Sequence, residues 1–196
     1  MTPRVTLGNL HLTPVTPSDA RDLYHVRMHP SVRQFMSNSA LIPFASHRKW
    51  VQQHAKDPKA LHLWLVRATS EPRAIGLSQL RVAGDTAEIG VMFREPQLHR
   101  LSASLVTVAT LHLAFTYLQL PWVTSYVIPT HKDAIDFNLA WGAHIANSNK
   151  PGMVKLLLHR DTCAANPNYC RILARIQSRL QIDPPAPSAD RISHVS

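Results

Sequence analysis

Glu88 is the lone carboxylate of an otherwise apolar stretch, Thr86-Ala-Glu-Ile-Gly-Val-Met-Phe93. A carboxylate in such surroundings is a suitable acceptor for the proton of an attacking nucleophile, directly or through water, if partial burial raises its affinity for that proton. Shortly after it, Leu98-His99-Arg100-Leu101-Ser102-Ala103-Ser104 leads into a long apolar segment. The first N–H groups of a helix have no partner within the helix and lie at the positive end of its dipole, so a turn of this kind suits an anion such as a cofactor phosphate. His99 and Arg100 add positive charge there, and Ser102 and Ser104 are candidate caps. A further strand and a helix ending Trp141-Gly-Ala143 complete a βαβα unit over Thr86 to Ala143. The arrangement points to a cofactor-binding transferase.

The elements that must position these residues follow from hydrophobic period and punctuation. Val5 to Val15 reads as a first strand, and a helix capped by Thr16 or Ser18 ends near His29, because Pro30 disfavours α geometry before it. A short helix and a loop are expected over Ser31 to Phe44, then a helix from Ser46 to Lys56 that Asp57-Pro58 stops. Leu61 to Val66, Ala74 to Val82 and the Glu88 strand form an antiparallel meander. A helix over Ser102 to Leu118, a strand over Trp122 to Ile128, a helix over Lys132 to Trp141 and a closing strand over Met153 to Leu158 follow. Residues 166–182 read as an amphipathic terminal helix, and Asp183 onward, rich in proline, as a disordered tail. The expected organisation is one domain over residues 1–182 and a tail over 183–196.

Three segments carry a family resemblance. Leu23 to Val32, ending Arg27-Met-His-Pro-Ser-Val32, is similar to an "L..R..P.V" segment; Ala87-Glu88-Ile-Gly90-Val-Met-Phe93, followed by Arg94-Glu-Pro96, is similar to "E.G..I.P"; and Thr130 to Ala143, with Ala134-Ile135 and Trp141-Gly142, is similar to "N..AI..Y..LGF". Together they resemble the GNAT superfamily of N-acetyltransferases, in particular its ribosomal-protein and amino-sugar acetyltransferase branch, over about residues 5 to 160. The resemblance implies an α+β fold with a mixed, mostly antiparallel twisted sheet flanked by helices. It also implies an N-acyltransferase that moves an acetyl group directly from acetyl-CoA, or another acyl-CoA, to an amine.

By the same resemblance, the strand amides around Val91, Met92 and Phe93 hold the pantetheine arm, and the turn His99, Arg100, Leu101, Ser102, Ala103 and Ser104 holds the pyrophosphate. Glu88 stands where the family carries its base. Asn138 replaces the tyrosine that protonates the departing thiolate; an amide can hydrogen-bond but cannot act as that acid, which leaves Tyr126 or Ser125 as substitutes. His131 is placed to contact the pantetheine arm or a phosphate. The acceptor enters over Tyr24 to Phe44, where Arg27, His29 and Arg33 are placed to select an acidic group. The turn departs from the family's Q/R-x-x-G-x-G/A, with Leu101 where glycine is customary and only Ala103 in agreement.

Composition bounds partners and setting. A formal net charge of +9 over 196 residues, with 12 histidines in addition, favours an anionic acceptor or partner. Nucleic acid is one candidate, although the basic runs are short and lack interleaved aromatics. A second reading is a binding protein of the same fold that has lost its cofactor turn. Cys163 and Cys170, seven apart, fit neither a redox pair nor a zinc knuckle, and His47 and His54 lack the carboxylate of an H-E-x-x-H site, so no metal is expected. No apolar run reaches the roughly 18 residues of a membrane span, and a soluble, cytoplasmic protein is expected. The acceptor's identity, the acyl preference and the oligomeric state are open at this level.

Overall fold

Nine strands form one sheet in the computed structural model, which describes residues 2–54 and 60–184. In chain order they are β1 Arg4–Leu7, β2 Leu10–Pro14, β3 Leu61–Ala68, β4 Gly76–Ala83, β5 Thr86–Phe93, β6 Trp122–Val127, β7 His144–Ala146, β8 Val154–His159 and β9 Leu180–Asp183. The helices are α1 Ala20–Met28, α2 Pro30–Arg33, α3 Phe44–His54, α4 Arg100–His112, α5 Lys132–Ala140, α6 Arg160–Ala164 and α7 Pro167–Gln177. Across the sheet the order is β7-β8-β6-β5-β4-β3-β2-β1-β9. Every pairing is antiparallel except β5 with β6.

β3 is buried along Leu61 to Val66, on both faces. Its alternation divides the core in two. Trp64 and Val66 pack with Leu80 and Ala87 beneath Val106, Ala109 and Leu111 of α4 and Tyr169 and Ile176 of α7. Leu61, Leu63 and Leu65 pack on the other face with Leu77 against Leu23 and Val26 of α1 and Val51 of α3. Each strand residue chooses its layer by parity, which is the period-2 rule of a pleated strand covered on both sides. α4 is also tied to the sheet through a buried hydrogen bond of 2.7 Å between Ser78 and Thr110 hydroxyls.

Several boundaries differ from the sequence reading. The first strand is a hairpin, because the Gly8-Asn9 turn, with Gly8 at φ +64°, folds Val5 against Leu12. α4 begins at Arg100 and gives way after His112 to a wider turn at Leu113–Tyr117, where the Leu118 N–H reaches the Leu113 carbonyl. The terminal helix expected to Ile182 stops at Gln177, and Leu180–Asp183 instead adds β9 beside β1, with Ile182 opposite Val5. Apolar alternation at Leu180 and Ile182 serves a strand as well as a helix, and the open edge of β1 decides between them. Asp183, expected in the tail, is thus a strand residue; 185–196 and 55–59 lie outside the described residues. β7 and α6 were not foreseen, being too short to show a period.

Candidate active site

β5 and β6 touch only at their beginnings. The parallel register holds for Thr86, Ala87 and Glu88 opposite Trp122, Val123 and Thr124, and no further, although both strands continue. β5 stays bound to β4 along all of Thr86 to Phe93. The Val82 N–H donates to the Ala60 carbonyl on the β3 side, so the odd residues of β4 face β5 and hold Glu88, Gly90 and Met92 there. Val91 and Phe93 consequently turn their N–H and C=O groups toward the edge that β6 has left. A strand edge with peptide groups to offer, inside a wedge, can accept an extended amide-bearing chain as it would another strand.

A cavity of about 320 Å³ fills the wedge. Glu88, Val91, Met92, Phe93, Tyr126, His131 and Asn138 all line it, which brings together seven residues spread over fifty positions of sequence. Met92 contributes its side chain only, since its amide is turned to Leu77. Gly90 lies beside Glu88, and a Cβ there would come within 3.0 Å of the Gln79 amide nitrogen, so the glycine makes room for Gln79, which also lines the cavity. Gln79 was not anticipated; a glutamine in a meander strand carries no signal of its facing.

The Glu88 carboxylate is partly buried, and its Oε2 receives the Lys150 ammonium at 2.6 Å. Lys150 Nζ also stands 3.9 Å from the centre of the Tyr126 ring, whose hydroxyl donates to Asn149 Oδ1 at 2.7 Å. Tyr126 is therefore committed to the Asn147–Gly152 turn. Asn138 is committed as well: its oxygen accepts from Ser125 Oγ at 2.9 Å and its nitrogen donates to the Ala134 carbonyl at 2.7 Å. It joins α5 to β6 and holds the far wall of the wedge. α5 ends in a Schellman motif, with the Ala143 N–H on the Asn138 carbonyl, the Gly142 N–H on Leu139, and Gly142 at φ +92°. His131 stacks on Phe35 at 3.6 Å between ring centres, joining the start of α5 to the segment after α2 across the cavity, and burial lowers its pKa.

The turn before α4 lies at the end of β5, with the His99 ring 5.8 Å from that of Phe93. Within it, His99 occupies the cap position without a side-chain bond, and its carbonyl accepts from the Ala103 N–H. Ser102 and Ser104 are not caps: the helix starts before them, and Ser104 Oγ donates back to the Arg100 carbonyl. The N–H groups of Arg100, Leu101 and Ser102 therefore belong to the first turn, where the helix supplies no acceptor. Leu101 is 67% exposed, so its isobutyl group projects to solvent and does not fill the wedge.

Such a wedge of amides beside a helix N-terminus has donors suited to an extended amide-bearing chain and an anion. Residues 9–142 match the family described as an acetyltransferase (GNAT) domain. The chain belongs to the GNAT acetyltransferase family. The fold is shared with a chimera of the spermidine N-acetyltransferase SpeG from Vibrio cholerae and hSSAT, at TM-score 0.68 and 15% identity over 81% of this chain and 99% of that one. The Vibrio cholerae spermidine N-acetyltransferase in complex with CoA and spermine gives TM-score 0.68 and 14% identity over 80% and 98% of the two chains. An acetyltransferase from Agrobacterium tumefaciens gives 0.67 and 18% over 82% and 96%. No curated protein matches the sequence. The GNAT family makes the chain an N-acetyltransferase that uses acetyl-CoA.

Arg27, His29 and Arg33 lie outside the cavity lining. Arg27 Nη2 donates to the Asn38 carbonyl at 3.3 Å and Arg33 Nη1 to the Ser39 carbonyl at 3.0 Å, so both fasten the loop that forms one wall of the wedge. His29 bonds Ser31 Oγ at 2.8 Å, and Ser31 itself lines the cavity. Arg27 Nη1, Arg33 Nε and His47 Nε2 are buried with no hydrogen-bond partner. Burial lowers the pKa of both Arg27 and His47, and the Arg27 charge lowers His47 further. Among the described residues no group of three His, Cys, Asp or Glu side chains is placed to hold a metal. Neither cysteine lines the cavity, and burial pushes the Cys163 thiol up to about 12.

Proposed function

We propose that this GNAT protein acetylates the primary amine of an anionic acceptor by direct transfer. The observation that carries the reading is the parting of β5 from β6 immediately after Glu88, which leaves a carboxylate at the apex of a cavity with offered amides on one wall. Acetyl-CoA, when bound, supplies the acetyl thioester. Val91 and Phe93 would hold the pantetheine arm through their peptide groups, and the first-turn amides of Arg100, Leu101 and Ser102 would hold the pyrophosphate. Glu88 takes the proton of the acceptor ammonium, directly or through water, and Ser125 and Asn138 keep β6 and α5 in place around it. Direct transfer is supported by the lack of a thiol on the cavity: Cys163 is fully buried elsewhere and a thiol with so high a pKa is no nucleophile at neutral pH.

The anionic acceptor rests on charge. From Leu23 to His54 the sequence has no Asp or Glu, while Arg27, Arg33, Arg48 and Lys49 fall within it together with His25, His29, His47 and His54. α2 and the segment after it line the cavity through Ser31, Val32, Phe35, Met36 and Ser37, and Arg27 and Arg33 stand behind that wall, bonded to the Asn38 and Ser39 carbonyls, so the wall carries positive charge. A polycation would meet repulsion there, and a carboxylate or phosphate would be attracted. The test is CoA release from acetyl-CoA with three probes in parallel: spermidine, a peptide with an acidic N-terminal segment, and a nucleotide-linked amino sugar. An anionic probe is expected to give the higher kcat/KM; preference for spermidine refutes the proposed charge selection.

A further inference from the structure

Lys150 was not singled out by the sequence, and its surroundings are built. The lysine sits in an exposed polar turn, yet its N–H donates to Ser148 Oγ at 3.2 Å, and its carbonyl accepts from Ser148 Oγ at 3.0 Å and from the Met153 N–H at 3.2 Å. The neighbouring Asn149 is fastened to the Tyr126 hydroxyl. With the backbone fixed in this way, the side chain reaches over the Tyr126 ring and places Nζ 2.6 Å from the carboxylate that lines the cavity. A primary amine bonded to a carboxylate that lines the cavity meets one requirement of an acceptor, a base within hydrogen-bond reach of its proton. Its side chain is 43% exposed, so acetylation would require no burial of the product.

We propose that Lys150 is itself an acceptor: in the absence of a bound amine, Nζ takes the acetyl group from acetyl-CoA within the same chain. The inference rests on the acetyl-transfer reading above. In the reaction one Nζ proton passes to Glu88, the nitrogen lone pair forms a C–N bond to the acetyl carbonyl carbon, and the C–S bond breaks. A second proton leaves nitrogen, so that of the two lost from the ammonium one ends on the CoA thiolate and the other in solvent. The products are N-acetyl-Lys150 and CoA thiol, with nothing oxidised or reduced. The modified lysine has no positive charge, the ion pair to Glu88 is lost, and the carboxylate becomes available to an external amine.

Two acetyl donors test this on the full chain, with peptide mapping by mass spectrometry at Lys150 and at the exposed Lys49 and Lys132. Acetic anhydride, applied without CoA, reads intrinsic nucleophilicity, and the ion-paired Lys150 should be labelled more slowly than the other two. With acetyl-CoA the order should reverse, Lys150 leading by roughly tenfold or more, as a positioned general base provides. The first-order rate should be unchanged on dilution of the protein, Glu88→Gln should remove the lead while melting curves show the variant folded, and Lys150→Arg should give no product at that position. Equal rates at the three lysines with acetyl-CoA, in protein that calorimetry shows to bind CoA, overturn the inference and leave the acetyl-transfer reading standing. A rate proportional to protein concentration overturns transfer within the chain. If calorimetry shows no CoA binding, the acetyl-transfer reading fails and this inference with it.

Discussion

Replacing Glu88 by Gln separates the base from the fold. A lysine-type amine has an ordinary pKa of about 10.4, so at pH 7 only about one molecule in 2,500 is neutral, a handicap of about 4.6 kcal/mol. A carboxylate that takes the proton in place recovers part of that, commonly ~10²–10⁴ in rate. The substitution should act mainly on that gain in rate. Gln is isosteric, its amide oxygen can still accept from Lys150 Nζ, and the ion pair lost is between side chains 26% and 43% exposed. Pairs with that much exposure contribute about 1 kcal/mol or less, which in a chain of this length moves Tm by roughly 2–4 °C at most. The variant should therefore fold, and kcat/KM at pH 7 should fall by roughly 10²–10³, with the deficit shrinking as pH approaches the amine's own pKa and the base loses its task. The assay is CoA thiol release across pH with the preferred amine probe. A Gln variant within about twofold of the parent at neutral pH and at high pH alike removes Glu88 from proton transfer.

Other consequences are open to measurement. Ser78→Ala deletes the buried hydroxyl that joins β4 to α4, while Thr110 keeps its bond to the Val106 carbonyl; denaturant titration should show a loss of about 1 kcal/mol with an unchanged m-value. Burial lowers the pKa of His47, His62, His112 and His131 in the folded chain. The unfolded chain then binds more protons, so stability should decline as pH falls below the ordinary histidine value of about 6.5, and His47→Phe should flatten that decline in urea titrations. Leu101→Gly removes a side chain that already projects to solvent, so CoA affinity by calorimetry should change less than about threefold, under 0.7 kcal/mol; a tenfold gain would show that the leucine obstructs the turn.

Much of the candidate site was legible because its parts are local patterns. The Glu88 strand, the turn into α4 and the Trp141-Gly142-Ala143 end of α5 each announce themselves within ten residues, and their order resembles one family. Charge was legible too, as a property of composition. What escaped was contact across sequence: Lys150 lies 62 residues from Glu88 in a turn of ordinary polar residues, and Gln79 gains its place only because Gly90 stands opposite. Arg27 and Arg33 also gained something the sequence does not show: each bonds a carbonyl of the loop after α2, at Asn38 and Ser39, and lies outside the cavity lining.

The sequence by itself determined the order and type of the main elements, because hydrophobic period and turn residues are written locally, and it set a helix start close to Arg100, two residues late. It also determined the excess of basic over acidic residues between Leu23 and His54. Only the tertiary structure decided that β5 and β6 separate after three paired residues, that Leu101 faces solvent, that Leu180 to Asp183 completes the sheet edge, and that a lysine occupies the carboxylate. Those outcomes depend on which surfaces meet after the chain has folded, and local propensity, which counts neighbours along the chain, carries no record of them.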